Sequence, residues 1–185
     1  MNNFFDALAY VQKIMYKPYD LYPQSIQEEV QNSDYGAGLF HIHSKSIRFR
    51  VAKTTPTKVG QFVAFWEKDD KNKNQPFSDK TATDLLVVNT FTNDNKFGQF
   101  IFPKEVLIKQ KILSTNTIKG KMAIRVYPSW EYPTSKQAIA TQKWQVEYFV
   151  EIQESNSLPT HEIMRLYFNQ RDNMIKVVNY SYLET

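Results

Sequence analysis

The seven-residue run LLVVNTF at residues 85–91 restricts the architecture more than any other stretch of the chain. It is apolar almost without interruption and has no helical spacing, so it reads as a strand buried on both faces, with Asp84 at its mouth. The sheet that holds it must therefore be covered above and below. Aromatic residues make up 15% of the chain, 13 Phe and 11 Tyr against 5 Gly, which favours a β-rich core built from flat, stiff side chains. With 185 residues and 42% hydrophobic content, the chain has material for one core rather than two. The expectation is a single α+β domain over residues 1–185: N-terminal helices at 1–34, a β-rich core at 35–130, and a long helix with a terminal strand at 131–185.

Charge and composition narrow the function classes. The absence of cysteine excludes disulfides, iron–sulfur clusters, thiolate zinc sites and cysteine nucleophiles. No apolar run approaches the roughly 20 residues that span a bilayer, and MNNFFDALAY lacks a basic region ahead of its apolar residues. The reading is a cytoplasmic protein without membrane insertion and without a cofactor. A net charge of +4 permits an anionic partner, so the distribution of charge has to carry the argument.

That distribution is uneven. In residues 47–66, IRFRVAKTTPTKVGQFVAFW, Ile47, Phe49 and Val51 alternate with Arg48, Arg50 and Ala52, which predicts a strand with one apolar face and one wet, basic face. Thr54, Thr55, Pro56 and Thr57 then form a hydroxyl-rich turn between Lys53 and Lys58, and Gly60 opens the next strand. No Asp or Glu occurs from Tyr35 to Trp66, so these cations have no acidic neighbour in sequence. A second acid-free block runs from Val106 to Trp130 and carries Lys109, Lys111, Lys119, Lys121 and Arg125. Within it, residues 122–127 read as a strand with Ile124 and Val126 inward and Arg125 outward.

Elsewhere, Phe4, Leu8, Val11 and Met15 recur at helical spacing and predict a first helix ending near Lys17, ahead of Pro18. Pro23, Glu28 and Glu29 suggest a short second helix over residues 23–31. Residues 39–43 and 46–53 read as a hairpin, 104–112 as a short helix, 135–152 as the longest helix, and 174–182 as a last strand. KVGQFV at residues 58–63 and KFGQFI at 96–101 share a register, which suggests two related halves of a barrel-like sheet about a pseudo-twofold axis.

Catalytic and metal motifs are weak. His41 and His43 share a spacing that metal sites use, but His161 is distant and no carboxylate adjoins the pair. Asp69, Asp70 and Lys71 echo the acid-x-Lys pattern of metal-dependent nucleases, yet lie in a polar loop over residues 67–80. His161, Glu162 and Arg165 stand where a zinc protease has HExxH, with Arg165 replacing the second histidine.

Several segments together carry a family resemblance: YGAGLF at 35–40, RFRVAKTTPTKVGQFVAFW at 48–66, GQFIFPKEVL at 98–107, KGKMAIRVYPSW at 119–130 and QKWQ at 142–145. The chain resembles the MepB-like family, named from a reading frame beside a multidrug efflux pump, over most of residues 35–149. The resemblance implies identity more than activity. A second likeness concerns AKTTPTKVGQFV at 52–63, which is similar to the basic loop and strand start of DNA-binding pseudobarrel domains in restriction endonucleases. It implies a pseudobarrel with flanking helices, and a DNA-facing role for Lys53, Thr54, Thr55, Thr57 and Lys58.

These readings converge on a non-catalytic protein that binds DNA, or nucleic acid broadly. Its expected interface is Arg48, Arg50, Lys53, Thr54, Thr55, Thr57, Lys58, Gln61, Lys119, Lys121 and Arg125, with both basic blocks on one face. The alternatives are a metal-dependent nuclease using Asp84 or Asp69 and Asp70, and a binding module for a phosphorylated small ligand.

Overall fold

A computed structural model describes residues 3–94, 96–152 and 159–168. The chain opens with α1 (Phe4–Val11), which continues through a π turn (Gln12–Tyr16) and a 3-10 turn (Lys17–Tyr19). Asn3 caps it, its Oδ1 accepting from Phe5 N at 2.8 Å, and Phe4, Ala7, Leu8 and Val11 are buried. Five strands follow: β1 (Gln24–Glu28), β2 (Gly38–Ile42), β3 (Lys45–Val51), β4 (Lys53–Thr55) and β5 (Lys58–Ala64). The small hairpin of β6 (Glu67–Lys68) and β7 (Asn74–Gln75) leads to β8 (Leu85–Phe91) and β9 (Phe97–Pro103). The remaining elements are α2 (Lys104–Lys109), β10 (Ala123–Val126), α3 (Lys136–Gln145), a 3-10 turn (Val146–Tyr148) and β11 (Phe149–Ile152), with residues 160–168 helical.

The strands form a mixed six-stranded sheet of order β1-β2-β3-β8-β9-β11 and a separate three-stranded sheet of order β10-β5-β4. In the large sheet only the β3–β8 pair is parallel. As the apolar run required, β8 is buried on both sides. Leu85 and Val87 join a core with α1, Phe40, Phe49 and Ile101, while Leu86 and Val88 join a second core with Val63, Phe65, Phe102, Ile124 and Val126. The small sheet thus lies over the face of the large sheet opposite α1.

Four expectations are corrected. Residues 24–28 form the exposed border strand β1 rather than a helix, because pairing with β2 supplies ladder hydrogen bonds that outweigh the helix preference of Glu28 and Glu29. The two sheets are distinct and no closed barrel forms among the described residues. The related segments KVGQFV and KFGQFI fall in different sheets, β5 and β9, so they do not form the expected pair of barrel halves. The helix expected over 135–152 stops at Gln145, because Phe149–Ile152 pairs with Phe97–Phe100 as β11. The strand expected at 174–182 lies outside the described residues.

Gly98 in β9 stands opposite Glu151 of β11. A Cβ there would run into the Phe149 ring and lie 3.0 Å from Trp130. We expect Gly98→Ala to lower stability by about 1–3 kcal/mol through overpacking, seen as a lower urea midpoint at unchanged m-value. An unshifted midpoint would mean that the Phe149 ring turns aside freely.

Candidate functional site

The small sheet and α3 build a cleft. The β4–β5 turn carries Thr57, Lys58 follows as the first residue of β5, and β10 lies beside β5 with Arg125 opposite Phe62. Arg125 Nη1 donates to Thr55 Oγ1 at 3.1 Å and to Gly60 O at 2.8 Å, with longer contacts of 3.4 Å to Lys58 O and Val59 O. One guanidinium therefore holds the turn that presents Lys58. Gly60 (φ 81°) lets β5 approach β10, since a Cβ there would lie 2.6 Å from the Tyr127 ring.

α3 forms the opposite wall and is locked to β10 through Gln145, which is 1% exposed. Its Oε1 accepts from Tyr127 N at 2.9 Å and its Nε2 donates to Arg125 O at 3.0 Å. Gln142 Nε2 donates to Pro128 O and Glu131 O, fixing the intervening loop, and Ser135 Oγ caps α3 by accepting from Ala138 N. Trp144 leans on Phe102 with ring centroids 5.3 Å apart while lining the cleft.

The cleft is open to solvent and has a volume of about 580 Å³. Thr57, Lys58, Lys121, Arg125, Tyr127 and Trp144 line it together with uncharged residues of α3, and no Asp or Glu contributes. Among the described residues none of Lys58, Lys119, Lys121 or Arg125 forms an ion pair. Arg125 bonds only to neutral acceptors, so its charge is not cancelled. Glu131 Oε2 accepts from Gly60 N at 3.4 Å, but Glu131 is not among the lining residues. Lys119 is exposed two residues from Lys121 on the same loop.

The two basic blocks thus meet through the β5–β10 pair, but only in part. Lys58 and Thr57 from the first block, and Lys121 and Arg125 from the second, share the cleft. Thr54 is exposed, Thr55 is engaged by Arg125, and Lys53 is half-buried with its Nζ 5.1 Å from the Tyr35 ring centroid. Arg48, Arg50 and Gln61 are elsewhere. The expected wet face of β3 is instead a buried one: Arg48 is 8% exposed and Arg50 0%, beneath the small sheet. Arg50 Nη1 donates to Glu29 Oε2 at 2.6 Å, Arg48 Nε reaches the same oxygen at 3.4 Å, and the Arg48 guanidinium lies 3.6 Å from the Phe77 ring centroid. Burial pulls the Arg50 guanidinium down to about 10, with Glu29 opposing the shift. Gln61 is fully buried and donates to Phe91 O at 3.0 Å.

Of the carboxylates considered for metal chemistry, Asp84 and Asp69 have structural partners. Asp84 Oδ2 accepts from Ser46 N and Ser46 Oγ at 2.8 and 2.7 Å, tying β3 to the start of β8. Burial alone would raise its pKa, but those bonds and the nearby Lys45 and Lys104 hold it below the usual carboxylate range. Asp69 Oδ1 accepts from Lys71 N and Lys73 N within its own turn. His43 sits at a turn (φ 50°) with its ring against Phe168. No group of three or more His, Asp or Glu with metal-holding geometry occurs among the described residues, and no helix there is long and apolar enough to cross a membrane.

Comparison with known proteins places this geometry in context. The MepB-like family model matches residues 29–151. A crystal structure of MepB is similar to the chain at 37% identity and a TM-score of 0.71, covering 82% of this chain and 98% of its own. No curated protein matches. The matched span contains Glu29, both acid-free blocks and all of α3.

Proposed function

The chain belongs to the MepB-like family, and from its cleft we propose that it binds nucleic acid, DNA foremost, through the phosphate backbone and without catalysis. The observation that carries this reading is the convergence of Lys58, Lys121 and Arg125, from segments more than sixty residues apart, on a lining with no carboxylate. Cations gathered without acidic partners set up a positive potential that an anionic polymer would neutralise. Thr57 adds a hydroxyl donor beside Lys58. Lys53 and Lys119 extend the positive surface along β4 and the loop before β10. The likeness of residues 52–63 to the basic loop of DNA-binding pseudobarrel domains supports the same reading, although that loop here borders an open sheet.

The nuclease alternative gains nothing from this geometry, because Asp69 and Asp84 bond to backbone N–H groups away from the lining. The test is a salt titration of binding. Contacts from three to five cations give a log–log slope of about −2 to −4.5, depending on strandedness. A flat dependence, or no binding at low salt, would falsify the proposal.

A further inference from the structure

We propose that the occupant of the cleft is an unpaired nucleic-acid strand whose bases turn toward α3, a refinement that rests on the phosphate-binding reading of the same site. The cations make up only part of this surface. Val59, which lines the cleft, is 45% exposed, and Met122, between the lining residues Lys121 and Ala123, is 44% exposed. Tyr132, one residue before the lining Pro133, is 83% exposed, and Ile139, beside the lining Ala138, is 49% exposed. Trp144 and Tyr127 add half-buried rings within. Val59, Tyr127 and Trp144 thus share the cleft lining with the cations, and Tyr132 stands exposed at its edge, so the complementary ligand carries negative charge and flat apolar faces together.

A duplex does not fit that description. Its base faces are stacked inside, and it could lay only a phosphate ridge across the opening. An unpaired strand offers both kinds of surface, phosphates for Lys58, Lys121 and Arg125 and a base face for Tyr132 or Trp144, the combination used by single-strand binding grooves. The volume of about 580 Å³ lies within the roughly 300–1,000 Å³ typical of clefts for small molecules, which suits one or two nucleotides rather than a helix. The polar groups of Gln145 are spent on β10, so this amide is not available to read base edges.

The experiment is fluorescence anisotropy with the full chain and labelled oligodeoxythymidylate, oligouridylate and a hairpin duplex, each of about 12 nucleotides. Binding of either single strand at least roughly tenfold tighter than the duplex is expected, together with a loss of about fivefold or more in Tyr132→Ala for the single strand alone. Tyr132 is exposed, so this variant keeps the native fold, checked by circular dichroism. Duplex binding as tight as single-strand binding, with a steep salt slope, would overturn this inference and leave the phosphate-binding reading standing. Full competition by a mononucleotide, with no gain on lengthening, would overturn it in favour of a phosphorylated small ligand. Absence of salt-dependent binding to every probe removes both readings.

Discussion

Glu29→Ala is expected to cost about 3–5 kcal/mol of folding stability, because it leaves the buried Arg50 guanidinium without a counter-charge. Glu29 is 9% exposed, and its Oε2 is the one carboxylate oxygen bonded to Arg50 among the described residues. Arg50 is fully buried and its Nε and Nη2 have no hydrogen-bond partner, so little else compensates its charge. The residual contacts are Nη1 to Phe49 O at 2.8 Å and, for Arg48, the Phe77 ring. Urea unfolding reads the effect. Arg50→Met placed in the Glu29→Ala background should recover part of the loss, since removing the orphaned charge is cheaper than keeping it. A loss below about 1 kcal/mol in the single variant would show that the guanidinium groups reach solvent without Glu29.

The same cluster shows what the sequence could and could not reveal. The alternation of Ile47, Phe49 and Val51 with Arg48 and Arg50 is a strand signal, and β3 forms there. What alternation does not give is the environment of the second face. The acid-free window around Arg48 and Arg50 described neighbours in sequence, whereas their partner Glu29 stands 19 and 21 residues upstream and arrives through the β1–β2 hairpin. Because residues 23–31 read as a helix, that approach was hidden. The cleft was half legible for a related reason. Lys58, Lys121 and Arg125 were visible as unpaired charge, but the wall made by Tyr127, Thr134 and Trp144 depends on Gln145 locking α3 to β10, a contact between an amide and backbone groups that leaves no pattern in the sequence. Ser135 ahead of α3, with Pro133 before it, was the available cue that a helix begins at this edge.

The second large effect concerns binding. Lys58→Glu combined with Lys121→Glu is expected to weaken nucleic-acid binding roughly a hundredfold at moderate salt and to flatten the salt slope by about 1.5 to 2, as two phosphate contacts are replaced by repulsion. Both lysines are exposed and form no ion pair among the described residues, so stability should stay within about 0.5 kcal/mol of the parent. Lys13→Glu combined with Lys80→Glu, at exposed positions outside the cleft lining, serves as the matched control for net charge and should change affinity only a few-fold. Equal weakening by the control and by the cleft lysines would mean that overall charge, not this surface, governs association. Arg125 is a poorer choice for the same purpose: its bonds to Gly60 O and Thr55 Oγ1 shape the turn, so its removal would mix lost charge with a displaced Lys58.

The border strand β1 has a consequence for how copies of this chain coexist. All five of its residues are exposed, but its ladder to β2 breaks between Gln24 and Gln27, where Ser25 takes φ 53°. A kinked rim of this kind offers no straight row of amide and carbonyl groups for a neighbouring molecule to extend, so the large sheet resists polymerising from its N-terminal side even at high protein concentration.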